Sequence, residues 1–84
     1  MYGRMARVLV IEDDAGTAAE IASALGDAGL QADCAQTGRD GLLKAAAGTY
    51  DAVVLDRMLP GDLDGLGVLS TLRTIGIETP VGYM

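Results

Sequence analysis

Two short apolar runs, each stopped abruptly by acid, constrain this chain more than any other feature. Residues 7–11 read R-V-L-V-I and give way at once to Glu12-Asp13-Asp14; residues 52–55 read A-V-V-L and end on Asp56. A short apolar run without polar alternation suits a strand buried on both faces, the situation in a parallel sheet covered by helices on either side.

What lies between the runs fits that picture. Over residues 15–28, Ala18, Ile21, Ala22, Leu25 and Ala28 recur at three- and four-residue steps, which predicts a helix with one inward stripe and Gly29 as its stop. Residues 30–35 alternate apolar and polar and predict a half-exposed edge strand that carries Cys34. Thr37-Gly38 leads into a second helix over 39–47, closed by Gly48. A loop at 57–63 with Pro60 and Gly61 precedes a third helix at 64–75, with Leu66, Leu69 and Leu72 on one face and Gly76 beyond its end. Residues 79–84 open a fourth strand. The order is βαβαβαβ, which predicts an α/β fold: a doubly wound parallel sheet with right-handed crossovers and helices on both faces. No linker or repeat divides the chain, so residues 1–84 form one domain. With no Phe or Trp, its core is built from Val, Leu, Ile and Ala.

Charge narrows the function. Nine Asp and three Glu against five Arg and one Lys give a net charge of −6, which disfavours direct nucleic-acid binding and adhesion to anionic membranes and suits a protein that holds a cation. No apolar run approaches the length of a membrane span, and no charged-then-apolar leader opens the chain. A single cysteine, Cys34, forms no internal disulfide and offers no zinc spacing, so a cytoplasmic location is expected. The absence of histidine excludes His-based chemistry within these residues.

The chemistry rests on the acids. In open α/β sheets ligands gather outside the carboxyl ends of the strands, and adjacent strands lie about 5 Å apart, so the two acidic tips can meet at one rim. Crowded carboxylates share protons or recruit a cation. Mg²⁺ takes oxygen ligands and keeps several waters, so two carboxylates and a carbonyl suffice to hold it. An Asp beside such an ion can act as nucleophile toward phosphorus. Each acid also has a plainer role open to it, since Asp13 or Asp14 could serve only as a helix N-cap.

V-L-V-I-E-D-D near the start and V-V-L-D-R-M-L-P-G further on, with Asp64-Gly65 after it, resemble the receiver domain of two-component response regulators, in the right order and over residues 7–84. The resemblance implies the flavodoxin-like receiver fold with sheet order 2-1-3-4-5. It implies Asp56 as phosphoacceptor, Asp13 and Asp14 as Mg²⁺ ligands together with the Asp56 carboxylate, and the Met58 backbone carbonyl as a further ligand. Glu12 falls at a position where many receivers carry an acid, and a lesser part is expected of it. The implied partner is a sensor histidine kinase or phosphotransfer protein. The L-D-R-M-L-P-G form is similar to receivers joined to winged-helix transcription regulators.

Two departures stand out. The loop L-P-G-D-L-D-G is one residue longer than the usual L-P-G-x-D-G and adds Asp62. The chain also stops at the fourth strand, so the family's later Ser/Thr and Lys lie outside it, and Lys44 on the second helix cannot replace that Lys. A receiver truncated in this way is expected to phosphorylate poorly and to self-associate as a homo-oligomer through the bared edge and face. Arg57 and Lys44 are expected on solvated surface, although Arg57 adjoins the phosphoacceptor. Three functions remain open: a signalling receiver without enzymatic turnover, a self-associating interaction module, and an Mg²⁺-dependent aspartyl phosphatase or phosphotransferase. Against the last, haloacid-dehalogenase-like enzymes need D-x-D after the first strand, and Asp13-Asp14-Ala15 lacks that spacing.

Overall fold

The structure, a computed structural model, describes residues 5–84. Seven elements follow in order: β1 (Arg7–Ile11), α1 (Ala15–Asp27), β2 (Gln31–Ala35), α2 (Gly38–Ala47), β3 (Ala52–Leu55), α3 (Gly65–Thr74) and β4 (Val81–Tyr83). All four strands run parallel in one sheet of order β2-β1-β3-β4. The expected alternation and strand order are both present. The fourth strand is shorter than expected, three residues rather than six, and the third helix begins one residue later because Asp64 caps it instead of joining it.

Alternation along the strands sends side chains to opposite faces. Leu9 and Ile11 of β1 and Val53 and Leu55 of β3 face one side, where they pack with Ala45 of α2 and Val68 and Leu72 of α3 into a single core cluster. Val8 and Val10 are buried on the other face, against which α1 packs with its buried Ala18. Leu9, Val10, Ile11, Val53, Leu55, Val68 and Leu72 are fully buried, so the core is indeed aliphatic. Its branched chains fill the space that aromatic rings occupy elsewhere. The edge strand β2 is only half-buried along most of its length, Cys34 included.

The helix ends explain the turns. Past α1 and α3, Gly29 and Gly76 take φ of 86° and 89°, and the N–H groups of Leu30 and Ile77 reach back to the carbonyls of Leu25 and Leu72. This closing turn needs a left-handed residue that a side chain disfavours. At the other end of each helix a side-chain oxygen accepts a backbone N–H: Asp14 from Gly16, Thr37 from Asp40, Asp64 from Gly67.

Candidate metal and phosphoryl site

Register places the acids. Val8, Leu9, Val10 and Ile11 lie opposite Ala52, Val53, Val54 and Leu55, so the apolar parts of β1 and β3 end level with each other. The Asp56 N–H donates to the Ile11 carbonyl at 3.0 Å, and the Glu12 N–H to the Ala35 carbonyl of β2 at 2.9 Å. The residues one step past the ladder, Glu12 and Asp56, therefore leave the sheet at the same height. With Asp13 they form a group in which each residue offers one carboxylate oxygen, all within 4.8 Å of one another.

Glu12 is the buried member, at 7% exposure; Asp56 is half-buried and Asp13 exposed. The Asp14 N–H donates to Glu12 Oε2 at 3.0 Å and pulls its carboxyl downward. Burial, a hydrogen bond with Asp13 and the nearby charge of Asp56 push the other way, and the net displacement is upward. Among the described residues no Lys or Arg forms an ion pair with any of the three. Asp56 is oriented from its own loop, because the Met58 N–H donates to Asp56 Oδ1 at 2.9 Å.

The rim stays close to the sheet because the loop after β3 is pressed down by glycine. A Cβ on Gly65 would come within 2.6 Å of Arg57 Cα and 2.7 Å of the Asp56 carbonyl oxygen. Gly38 at the start of α2 likewise leaves room for the Leu63 carbonyl, which a Cβ would meet at 2.2 Å.

Of the acids expected at the rim, the structure brings Asp13 and Asp56 together and places Asp14 elsewhere. The Asp14 carboxylate accepts from Gly16 N at 3.1 Å and from the Thr17 hydroxyl at 2.8 Å, and these bonds hold it below its ordinary value. It caps α1, whereas the expectation set it beside Asp13 as an Mg²⁺ ligand. Glu12 takes its place. The signal was in the counting: Glu12 is the first residue after β1, as Asp56 is the first after β3, so the two emerge side by side. The Met58 side chain is solvent-exposed, and its N–H already serves Asp56.

Neighbouring charges are occupied. Asp62, the extra residue of the loop, turns away to pair with Arg39 of α2 through two hydrogen bonds. Lys44 is less free than expected, since its Nζ donates to the Cys34 carbonyl at 2.9 Å and to Asp40 at 3.1 Å and ties α2 to β2. The Arg57 guanidinium sits 5.0 Å from the centroid of the Tyr83 ring.

The donor set fits a hard divalent cation. Opposed oxygens around Mg²⁺ lie about 4.2 Å apart, twice its usual bond length. Three oxygens already gathered within 4.8 Å need little movement to share one ion. Such an ion also offsets the mutual repulsion registered at Glu12.

Comparison with known proteins agrees with this geometry. The family model of the response regulator receiver domain matches residues 8–84. The transcriptional regulatory protein PcoR of Escherichia coli is 44% identical over 80 residues, covering 95% of this chain and 35% of that protein. The transcriptional regulatory protein TcrA of Mycobacterium tuberculosis is 44% identical over 75 residues, 89% of this chain and 29% of that protein. The chain thus spans about a third of the length of these relatives. Among solved structures, the receiver domain of the Francisella response regulator 1452 superposes with a TM-score of 0.88 at 35% identity, covering 93% of this chain and 64% of that one. The Thermotoga maritima response regulator TrrA, solved in complex with Mg²⁺-BeF, gives 0.84 at 30% identity, with 94% and 66% covered.

Proposed function

This chain belongs to the response regulator receiver domain family, and from that premise we propose that it accepts a phosphoryl group on Asp56 with Mg²⁺ held at the Glu12–Asp13–Asp56 rim. The observation that carries the proposal is the convergence of those three carboxylates at level strand ends. Glu12, Asp13, Asp56 and the Met58 carbonyl are the residues assigned to the ion. When bound, Mg²⁺ supplies charge neutralisation for phosphoryl oxygens.

The chain's own residues do the rest. The Met58 N–H fixes the Asp56 carboxylate through Oδ1. An Asp56 oxygen forms the new bond to phosphorus as the bond from phosphorus to the donor breaks, and the electron pair departs with a histidine nitrogen of a protein donor or with the acyl oxygen of acetyl phosphate. The module turns nothing over and is a signalling element rather than an enzyme. Its phosphoryl donor is a sensor histidine kinase or a phosphotransfer protein. By likeness to the transcriptional regulators above, it works in the cytoplasm as the input part of a longer protein that binds DNA elsewhere. Among the described residues no helix is long and apolar enough to cross a membrane.

A second role, self-association, draws support from β4. Within these residues β4 is a sheet edge paired only with β3, and Tyr83 and Met84 beside it are exposed. Sedimentation at micromolar concentration is expected to give a dimer or larger species, and a compact monomer removes this role.

Incubation with Mg²⁺ and acetyl phosphate, followed by intact-mass measurement, tests the main proposal. One added phosphoryl group is expected, absent in Asp56→Asn and absent when Mg²⁺ is chelated. A phosphoryl that persists in Asp56→Asn overturns it, and so does continuous release of phosphate without a phosphorylated protein.

A further inference from the structure

An acidic rim repels the anion it has to receive. The cations available to offset this are mostly committed elsewhere. Arg7 is bonded to Asp33, Arg39 to Asp62, Lys44 to Asp40 and the Cys34 carbonyl, and Arg73 to the carbonyls of Ile77 and Thr79. Among the described residues, Arg57 is the cation that has neither a carboxylate nor a carbonyl partner; it rests against the Tyr83 ring, 5.0 Å from the centroid.

Its position is fixed at the root and free at the tip. Arg57 follows Asp56 directly, so their Cα atoms are about 3.8 Å apart. Its carbonyl accepts from Gly65 N at 3.3 Å, and its Cα lies where a Cβ on Gly65 would collide. The residue itself is exposed. A cation resting on a ring in water is weakly held, whereas a guanidinium donates two parallel N–H groups to phosphoryl oxygens in a stronger, charge-assisted contact. Exchange of the ring for a phosphoryl group is therefore favourable, and a long flexible side chain rooted beside the acceptor can make it.

We propose that Arg57 is the anion-recruiting residue of this site: it leaves the Tyr83 ring to pair with the phosphoryl oxygens of an incoming acyl phosphate and then holds the phosphoryl group on Asp56. The inference rests on Asp56 being the acceptor. In the transfer an Asp56 oxygen bonds to phosphorus, the bond from phosphorus to the acyl oxygen breaks, and the carboxylate of the donor departs with that electron pair. No oxidant or reductant is involved.

Phosphorylation by acetyl phosphate, followed by intact mass against donor concentration and salt, tests it. Arg57→Ala is expected to lower the second-order rate constant about tenfold, mainly by raising the half-saturating donor concentration, and Arg57→Lys to recover part of the loss. The difference between wild type and Arg57→Ala should shrink in high salt. Tyr83→Leu removes the ring but not the cation, so it should react at least as fast as wild type. In the wild type, the Arg57 Nε–H resonance should move on phosphorylation while that of Arg73 stays in place. Equal rates and equal salt dependence for wild type and Arg57→Ala overturn the inference and leave Asp56 as acceptor untouched. Equal slowing in Tyr83→Leu and Arg57→Ala overturns it in favour of a purely structural brace on β4. If the wild type takes no phosphoryl at all, the acceptor assignment fails and this inference falls with it.

Discussion

At the carboxyl ends of β1 and β3, Glu12, Asp13 and Asp56 face one another; in the amino-terminal half of the same sheet, Asp33 faces Arg7 and Tyr50. The residue type is shared and the surroundings are opposite. Asp33 accepts from the Tyr50 hydroxyl at 2.8 Å and from Arg7 Nη2 at 2.8 Å, and Arg7 also lies 4.8 Å over the Tyr50 ring. The Tyr50 hydroxyl and then Arg7 hold the Asp33 carboxyl below its ordinary value. Glu12 is displaced upward despite the N–H it accepts, because burial and its acidic neighbours outweigh that bond. Charge at one end is balanced within the protein. At the other, among the described residues, no Lys or Arg pairs with the three carboxylates. This asymmetry separates scaffold from site in a domain whose strands are otherwise alike.

The largest expected effect concerns which acids serve the ion. Asp13→Asn should weaken Mg²⁺ binding by at least about tenfold, since it removes a charged oxygen ligand. Asp14→Asn keeps a side chain able to cap α1 and should leave binding within about twofold. Isothermal titration with Mg²⁺ checks both. A loss in Asp14→Asn equal to that in Asp13→Asn returns Asp14 to the ligand set.

Opposite signs in stability come next. Asp33→Asn strips a charged acceptor from Arg7 and Tyr50 and should cost about 1 kcal/mol, a modest figure because each side chain of the ion pair is about one-third exposed. Glu12→Gln removes a carboxylate from a crowd while keeping an acceptor for the Asp14 N–H. In the absence of Mg²⁺ it should raise the midpoint of urea unfolding. The comparison breaks if Glu12→Gln destabilises the metal-free protein as much as Asp33→Asn does.

These contrasts also mark what the residues disclosed before any coordinates. Strand and helix order followed from apolar runs and three-to-four-residue steps, because burial on two faces or one leaves a direct trace in composition along the chain. The meeting of β1 and β3 at an acidic rim was equally legible. Which two of the three consecutive acids lie beside Asp56 is not legible in the sequence, for Asp14 and Glu12 differ by register and by competition from a helix N-terminus rather than by chemistry. The Cys34 carbonyl that Lys44 reaches and the partners of Asp62 and Arg57 were hidden for another reason: each lies on a different element, brought near only by packing.

Acid should act on the balanced end in a defined sense. The folded-state value of Asp33 is depressed, so its contribution is fully present above the unfolded carboxylate value, near pH 4, and is lost as pH falls through the lower folded value. Wild-type stability should therefore drop more steeply than that of Asp33→Asn below about pH 4, and the two unfolding curves should converge. Parallel curves would mean that the Tyr50–Asp33–Arg7 contact contributes nothing in solution.

The smallest effect belongs to a carboxylate that is paired and yet exposed. Asp62 and Arg39 are each more than 70% exposed and make two hydrogen bonds, which hold the Asp62 carboxyl below and the guanidinium above their ordinary values. Pairing alone does not stabilise: in water the attraction is screened and two long side chains lose freedom to form it. Asp62→Asn should leave the unfolding midpoint unchanged at about 0.15 M salt, with a small loss appearing only when salt is lowered. Mg²⁺ affinity should stay within about twofold, because Asp62 points to α2 and not to the rim. A larger fall in affinity would instead make the extra loop residue a support for Asp56 and Met58, and would place a third kind of carboxylate between the balanced end and the open one.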